Sequence, residues 1–416
     1  LQTVAGAISN NKYLKAVSDG LVSTIPALIV GALSTLIASL PINQYQDFLE
    51  STGLGSIISK PYEMTINILS IYAVFFIAYR LAASFDADRG GAGLAALVSF
   101  MVLTPITLAE EGNLIPFEFL GAQGLFVAII VGLISAKLYS VIEGKGWMIK
   151  LPDGVPPTIS KSFASLVPGF LIVVFWTIVM GLFTLTPMGS IHEFIYTFVQ
   201  APLNNLGGSF WSMVAVVLVI HILWLFGVHG MLVVMPMVMS VWLPLGVENL
   251  NALNSGEPLP NIVTPDLLMT FILLGGSGAT LGLSFLMAFM AKSKRYRTLG
   301  KLTVAPSLFG INEPIIFGTP IILNPYLAVP FILSPLTAAI VPYVLMALEI
   351  FPRVNSVGLP LGAPVIFNAF MQGGLMLIVL QAILFVVTTL IYYPFFRIID
   401  KKAYKEETQS SVDKSA

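Results

Sequence analysis

The chain has 416 residues, of which 56% are hydrophobic and only 10% charged, and its mean hydropathy is +0.91. Soluble domains carry about 25% charged residues, so this composition defines an integral membrane protein with several spans. A net charge of −1 gives no electrostatic footprint for nucleic acid, and the absence of cysteine excludes disulfides, thiolate metal sites and a cysteine nucleophile in this chain.

Taken in order, residues 1–20 read as an amphipathic interfacial helix that enters a first span at about 21–40. No cleavable signal peptide is expected, because the first apolar run follows Lys12 and Lys15 and lasts a full span. A polar loop reaches residue 63. Spans at about 64–83 and 92–108 flank a charged turn, Phe85-Asp86-Ala87-Asp88-Arg89-Gly90-Gly91. The loop 109–120 carries Glu110 and Glu111, read as solvated outer-loop acids, and leads to a span at about 121–142. A basic loop with Lys145, Lys150 and Lys161 precedes a fifth span, 163–185.

Residues 186–210 are only half apolar. Ile191, Phe194, Ile195, Phe198 and Val199 recur at helical spacing, with His192 and Glu193 opposite. This predicts an amphipathic helix in the interface and a boundary between two halves.

The second half is punctuated differently. A span at 211–228 breaks at Gly227-Val228-His229-Gly230, and the apolar run 231–245 is too short for an ordinary span. After a polar loop, 246–264, a span at about 265–291 is interrupted by Gly275-Gly276-Ser277-Gly278. Beyond the basic loop 292–297, the region 302–323 reads as a re-entrant hairpin with Asn312 and Glu313 at its tip. A span at 324–351, a broken segment at 358–372 and a last span at 373–396 follow. The prediction is an all-α polytopic membrane protein with about ten transmembrane helices and two or three re-entrant hairpins or broken helices. It divides into an interfacial helix (1–20), a five-span scaffold and dimerisation half (21–185), a connector (186–210), a substrate-binding half (211–400) and a polar cytoplasmic tail (401–416) whose last residues are expected to be disordered.

Lysine and arginine set the orientation. All but Lys60 and Arg353 fall on the side that holds both termini, the turn after the second span, the loop after the fourth and the loop at 292–297. Both termini are therefore expected in the cytoplasm.

The stretch Leu308-Phe309-Gly310-Ile311-Asn312-Glu313-Pro314-Ile315-Ile316-Phe317-Gly318-Thr319-Pro320 is the focal point. Its glycines and prolines forbid an unbroken helix, and irregular backbone inside a membrane survives only within protein or against a cavity. Glu313 is either a helix cap at the surface or a functional carboxylate, and its place among broken helices favours the second. Asn312 is either a backbone cap or a ligand for hydroxyls. The pair suits a polyol better than a metal ion, for which further carboxylates are wanted. His229, set between two glycines at a helix break, can hydrogen-bond a hydroxyl or shuttle a proton, whereas an isolated histidine of this kind is a satisfied core residue. His221 reads as structural or supporting. Trp224 either stacks on a sugar ring or packs, Ser277 and Gly230 belong to glycine-rich breaks where backbone can approach a ligand, and Asn368 and Gln372 are candidate polar lining. No cofactor motif, metal cluster or nucleophile–base pair appears, so a self-contained enzyme or an ATP-driven pump is not indicated.

Phe309-Gly310-Ile311-Asn312-Glu313-Pro314-Ile315-Ile316-Phe317-Gly318, followed by Asn324-Pro325, resembles the signature of the membrane component (enzyme IIC) of bacterial phosphotransferase-system sugar permeases, in the lactose/cellobiose/diacetylchitobiose group. Trp224-Leu225-Phe226-Gly227-Val228-His229-Gly230 resembles that group's other hallmark. The resemblance implies a multi-pass protein of the bacterial plasma membrane, a homodimer built on the first five spans, and a disaccharide site in the later spans. N,N′-diacetylchitobiose is the favoured sugar, with cellobiose or lactose next. It implies that Glu313 and His229 meet at the 6-hydroxyl, and that a cytoplasmic enzyme IIB, charged through enzyme IIA, brings phosphate on a cysteine as the sugar moves by alternating access. A chain without cysteine fits that division. The competing readings are a proton-coupled symporter using Glu313 or His229, and a membrane sensor or scaffold.

Overall fold

A computed structural model describes the chain except residues 1–10, 39–42, 110, 111, 153, 320, 322, 323, 359–361 and 414–416. Glu110, Glu111 and Pro320 therefore lie outside the described residues. Among the described residues the chain is mainly helical, with one short antiparallel pair, Thr107–Ala109 with Gly112–Leu114. Among the described residues six helices are long and apolar enough to cross a membrane. A bent pair, Ile191–Gly207 with Phe210–Leu225, adds a seventh, and Leu69–Ala83, Arg89–Leu103 and Leu281–Met290 are shorter apolar helices.

Two compact units are present. One comprises Ser9–Leu206 with Pro236–Glu257. Its centre is built from small residues on neighbouring helices, among them Ala73, Ala78, Ala82, Ala92 and Ala96, all fully buried. Small side chains let helix backbones approach closely where lipid offers no hydrophobic drive to association. Trp176 reaches across to donate its indole N–H to the Ser135 hydroxyl at 2.9 Å, which satisfies a polar group in the apolar interior.

Several expectations are corrected in this unit. Lys12–Val22, capped by the Asn11 side chain, is packed as well as amphipathic: Ala16, Val17 and Leu21 are buried and the helix packs on Leu69–Ala83. Its charged residues Lys12, Lys15 and Asp19 stay out of the buried face, so the period fits a packed helix as well as an interfacial one. The polar stretch up to residue 63 forms two helices, Asn43–Thr52 and Leu54–Glu63, separated by Gly53 at φ 69°. Between residues 191 and 200 the apolar pattern also misleads. His192 and Gln200 are buried with Ile191 and Ile195, while Phe194 and Phe198 face outward. His192 sits between the rings of Phe100 and Phe119. In lipid an apolar side chain gains little from burial, so polar groups that find partners turn inward.

The second unit comprises Gly207–Met235 and Pro258–Ala416. The breaks at Gly227, at Gly275–Gly278, at Gly310 and at Gly373-Gly374 fall within it. Phe210–Leu225 ends at a turn through Gly227, and a new helix starts at Gly230. That helix is not short: it runs to Ser255, 26 residues, with a wider turn at Val238–Trp242 just after Pro236. Proline has no N–H to donate, and the widened turn absorbs the missing bond. Residues 236–257, read from sequence as part of the later half, cluster with the first unit. Pro265–Ile272 stops at a loop through Gly275, Gly276 and Gly278, all at positive φ, before Leu281–Met290. Lys294–Leu308 and Glu313–Gly318 form the expected hairpin, although its basic residues belong to the first helical turns rather than a loop.

The last helix spans Phe367–Asp413 and breaks at Gly373-Gly374. It does not end at a disordered tail but stays helical to Asp413. About 20 residues cross the hydrocarbon core, so the segment from Arg397 onward extends beyond it.

Candidate functional site

The cavity of interest lies wholly within the second unit and has a volume of about 360 Å³, within the range of small-molecule sites. Its walls come from the interrupted helices, and its polar groups come both from the breaks, as with His229 and Glu313, and from helical turns, as with Asp266 and Asn368.

His229 and Glu313 face each other there. Nε2 of His229 lies 4.0 Å from Oε1 of Glu313, and both side chains are partly exposed to the cavity. His229 precedes the Gly230 helix, and the Leu232 N–H donates to its Nδ1 at 3.4 Å. With Nδ1 accepting, the neutral ring carries its proton on Nε2, the nitrogen turned to Glu313. Gly230 permits this turn, since a Cβ there would stand 2.0 Å from the Ile220 carbonyl oxygen. A separation of 4.0 Å exceeds a hydrogen bond, so a hydroxyl fits the pair as donor to the carboxylate and acceptor from the imidazole.

The Trp224 ring packs on His229 at 4.5 Å between centroids and forms part of the cavity wall. Its body is buried and its indole nitrogen has no partner among the described residues.

Asn312 is placed next to Glu313 but is already occupied. Its Nδ2 donates to the Ser277 carbonyl at 2.6 Å and to the Thr280 hydroxyl at 2.7 Å, and it does not cap the Glu313 helix. Its main effect is to fasten the hairpin tip to the glycine-rich break. Gly276 sits against it so closely that a Cβ would be 2.3 Å from Asn312 Cγ. A second tie runs from the Val365 N–H to the Leu308 carbonyl at 2.8 Å.

Ser277 and Asn368 also line the cavity. The Asn368 oxygen accepts from Gln381 Nε2 at 2.9 Å, which aims its amide. Gly230 and Gln372, expected at the substrate, are not among the cavity residues. Gln372 is fully buried: it accepts from Ser356 N–H at 2.8 Å and donates to Asp266 Oδ1 at 2.6 Å. It holds a chain break and a carboxylate in place. His221 is likewise buried, with Nδ1 2.6 Å from the Val217 carbonyl and its ring against Phe331.

Asp266 was not singled out from sequence, yet it lines the cavity with its carboxylate bound by Gln372. Thr264-Pro265-Asp266 opens the helix, the Thr264 hydroxyl accepting from Leu267 N–H at 3.2 Å. An acid inside a segment counted as a span was the available signal. Met231, Met235, Met269 and Phe309 supply apolar wall and carry no motif.

The fold and the site together define a polytopic α-helical membrane protein with a polyol-sized cavity among broken helices. The family model for phosphotransferase system EIIC matches residues 18–335, and the chain belongs to that family. EIIC components are membrane parts of sugar transport systems and work with EIIB and EIIA proteins. Among relatives, the lichenan permease IIC component of Bacillus subtilis is 36% identical, covering 97% of this chain and 93% of its own length. The cellobiose-specific EIIC component of Geobacillus stearothermophilus is 35% identical over 99% of this chain and 96% of its own. The crystal structure of ChbC, the IIC component of the N,N′-diacetylchitobiose-specific system, superposes with a TM-score of 0.92 at 36% identity, covering 98% of both chains.

Proposed function

We propose that this chain is the sugar-translocating subunit of a phosphotransferase system for a β-linked disaccharide, with N,N′-diacetylchitobiose favoured and cellobiose or lactose next. The observation that carries the reading is the His229–Glu313 pair, 4.0 Å apart in a cavity walled by Trp224. The likeness to the chitobiose, cellobiose and lichenan proteins supports the sugar class.

In this reading the 6-hydroxyl sits between the two side chains. Glu313 accepts its hydrogen bond and acts as general base, while His229 Nε2–H steadies the oxygen. The sugar oxygen attacks phosphorus, the bond between phosphorus and the EIIB cysteine sulfur breaks, and the hydroxyl proton passes to Glu313. Trp224 offers a face for a sugar ring, and Asn312, Asn368 and Asp266 line the walls. The second unit carries the substrate as it alternates between the two sides. The first unit forms the homodimer contact, for which the Leu166–Thr184 helix is suited by its outward Phe170, Ile178 and Leu182. Both termini lie in the cytoplasm, on the basic side.

Uptake into vesicles tests this reading. With phosphorylated EIIB inside, labelled disaccharide is expected to accumulate as its 6-phosphate. Accumulation of free sugar driven by a pH gradient without any phosphoryl donor would instead make the protein a proton symporter.

A further inference from the structure

The hairpin that carries Glu313 is held at its far end by two carboxylates of the last helix. Asp400 accepts from the backbone N–H groups of Lys292 and Ser293 at 2.9 and 3.0 Å, and from the Ser293 hydroxyl at 2.8 Å. Glu407 accepts from the N–H groups of Lys294 and Arg295 at 2.8 and 2.9 Å. Four consecutive N–H groups, from Lys292 to Arg295, are thus taken by one neighbouring helix at the helix start, and the next, that of Tyr296, donates to the Ser293 hydroxyl at 3.3 Å. Asp400 and Glu407 stand seven residues apart, two turns along one face. Asp400 and Ser293 are buried, so their half of the anchor is shielded from water, whereas the Glu407 bonds are exposed.

What the anchor holds is a stiff lever. The Lys294–Leu308 helix rises about 22 Å at 1.5 Å per residue. Midway, a Cβ on Gly300 would meet the Ala288 backbone at 2.2 Å, so the helix lies directly against Leu286–Met290. Arg297 binds the Ala291 carbonyl from the same end. At the other end a tight turn through Gly310 leads to Asn312 and Glu313. The returning arm folds back with Gly318 against Leu299.

We infer that Asp400 and Glu407 are positioning residues, which fix the height and angle of the hairpin and so the place of the Glu313 carboxylate in the cavity. The inference rests on the reading of Glu313 as the group that meets the sugar hydroxyl. The rest of the sugar would meet groups on other elements, so a displaced hairpin acts on the transfer step more than on binding.

The experiment uses the full-length Asp400→Asn and Glu407→Gln proteins, with Glu406→Gln on the same helix as control. Phosphorylation of N,N′-diacetylchitobiose by phosphorylated EIIB is expected to slow about tenfold in Asp400→Asn, with the dissociation constant changed less than threefold. Glu407→Gln should show a smaller loss and Glu406→Gln none. Hydrogen exchange supplies a readout independent of the sugar. Amides at 292–295 and also those at the tip, 309–313, should exchange faster in Asp400→Asn. Faster exchange confined to 292–295, or a wild-type transfer rate per folded molecule, overturns the inference. Wild-type transfer by Glu313→Gln would overturn the site itself, so the two failures are distinguishable.

Discussion

His229 Nε2 lies 4.0 Å from Glu313 Oε1, a separation that no direct hydrogen bond closes. The two residues come from different breaks, one after Phe210–Leu225 and one at the hairpin tip. Each break is maintained by backbone that only glycine accommodates, Gly230 against Ile220 and Gly276 against Asn312.

Replacing Glu313 by glutamine keeps the shape and removes the base. Sugar binding should weaken by about 1–3 kcal/mol, since the hydroxyl loses a charged acceptor. Phosphoryl transfer should fall by about a hundred- to ten-thousand-fold, the usual worth of a general base. Equilibrium binding and single-turnover transfer, measured on one preparation, separate the two effects.

Asn312→Ala removes both ties to the glycine-rich break. The Ser277 carbonyl and the Thr280 hydroxyl are buried, and losing their donor should cost about 1–3 kcal/mol of stability. Thermal unfolding in detergent should show the loss without sugar present. A variant as stable as the parent would mean that this amide does not fasten the hairpin.

Gly276→Ala is expected to be far more damaging than an ordinary glycine change. Its φ is +98° and the added methyl would strike Asn312 at 2.3 Å. Binding should drop at least tenfold. Gly144→Ala, whose Cβ meets open space within a helix, should be neutral or more stable by about 0.5–1 kcal/mol.

Glycine and proline inside apolar runs mark backbone that cannot be buried in lipid, so Gly227–Gly230, Gly275–Gly278 and the Asn312-Glu313-Pro314 stretch stood out. Which polar groups face a ligand was less legible. Asn312 and Gln372 look alike as buried amides, yet one borders the cavity and the other braces Asp266 from behind. Partners far apart in the chain decide this, and they have no local signature. The 191–200 stretch failed for a different reason. Amphipathic period locates a face but not its solvent, and in lipid Phe194 and Phe198 turn outward while His192 turns in.

The anchor on the last helix should respond to acid. The Arg295 and Lys294 N–H groups hold the Glu407 carboxylate below its ordinary pKa. A carboxylate depressed by folding binds fewer protons when folded, so its contribution is complete above the ordinary carboxylate range. It is lost as pH falls through the depressed value. Exchange at the 294 and 295 amides should therefore differ between wild type and Glu407→Gln at neutral pH, after correction for intrinsic rates, and converge in acid. A difference independent of pH would contradict the pairing.

The most direct measurement is a crystal structure with N,N′-diacetylchitobiose bound. The account predicts density in the cavity with one sugar ring against Trp224. The 6-hydroxyl oxygen should lie within hydrogen-bond reach of both Glu313 Oε1 and His229 Nε2. A sugar bound with C6 turned away from Glu313, or seated outside this cavity, would contradict it.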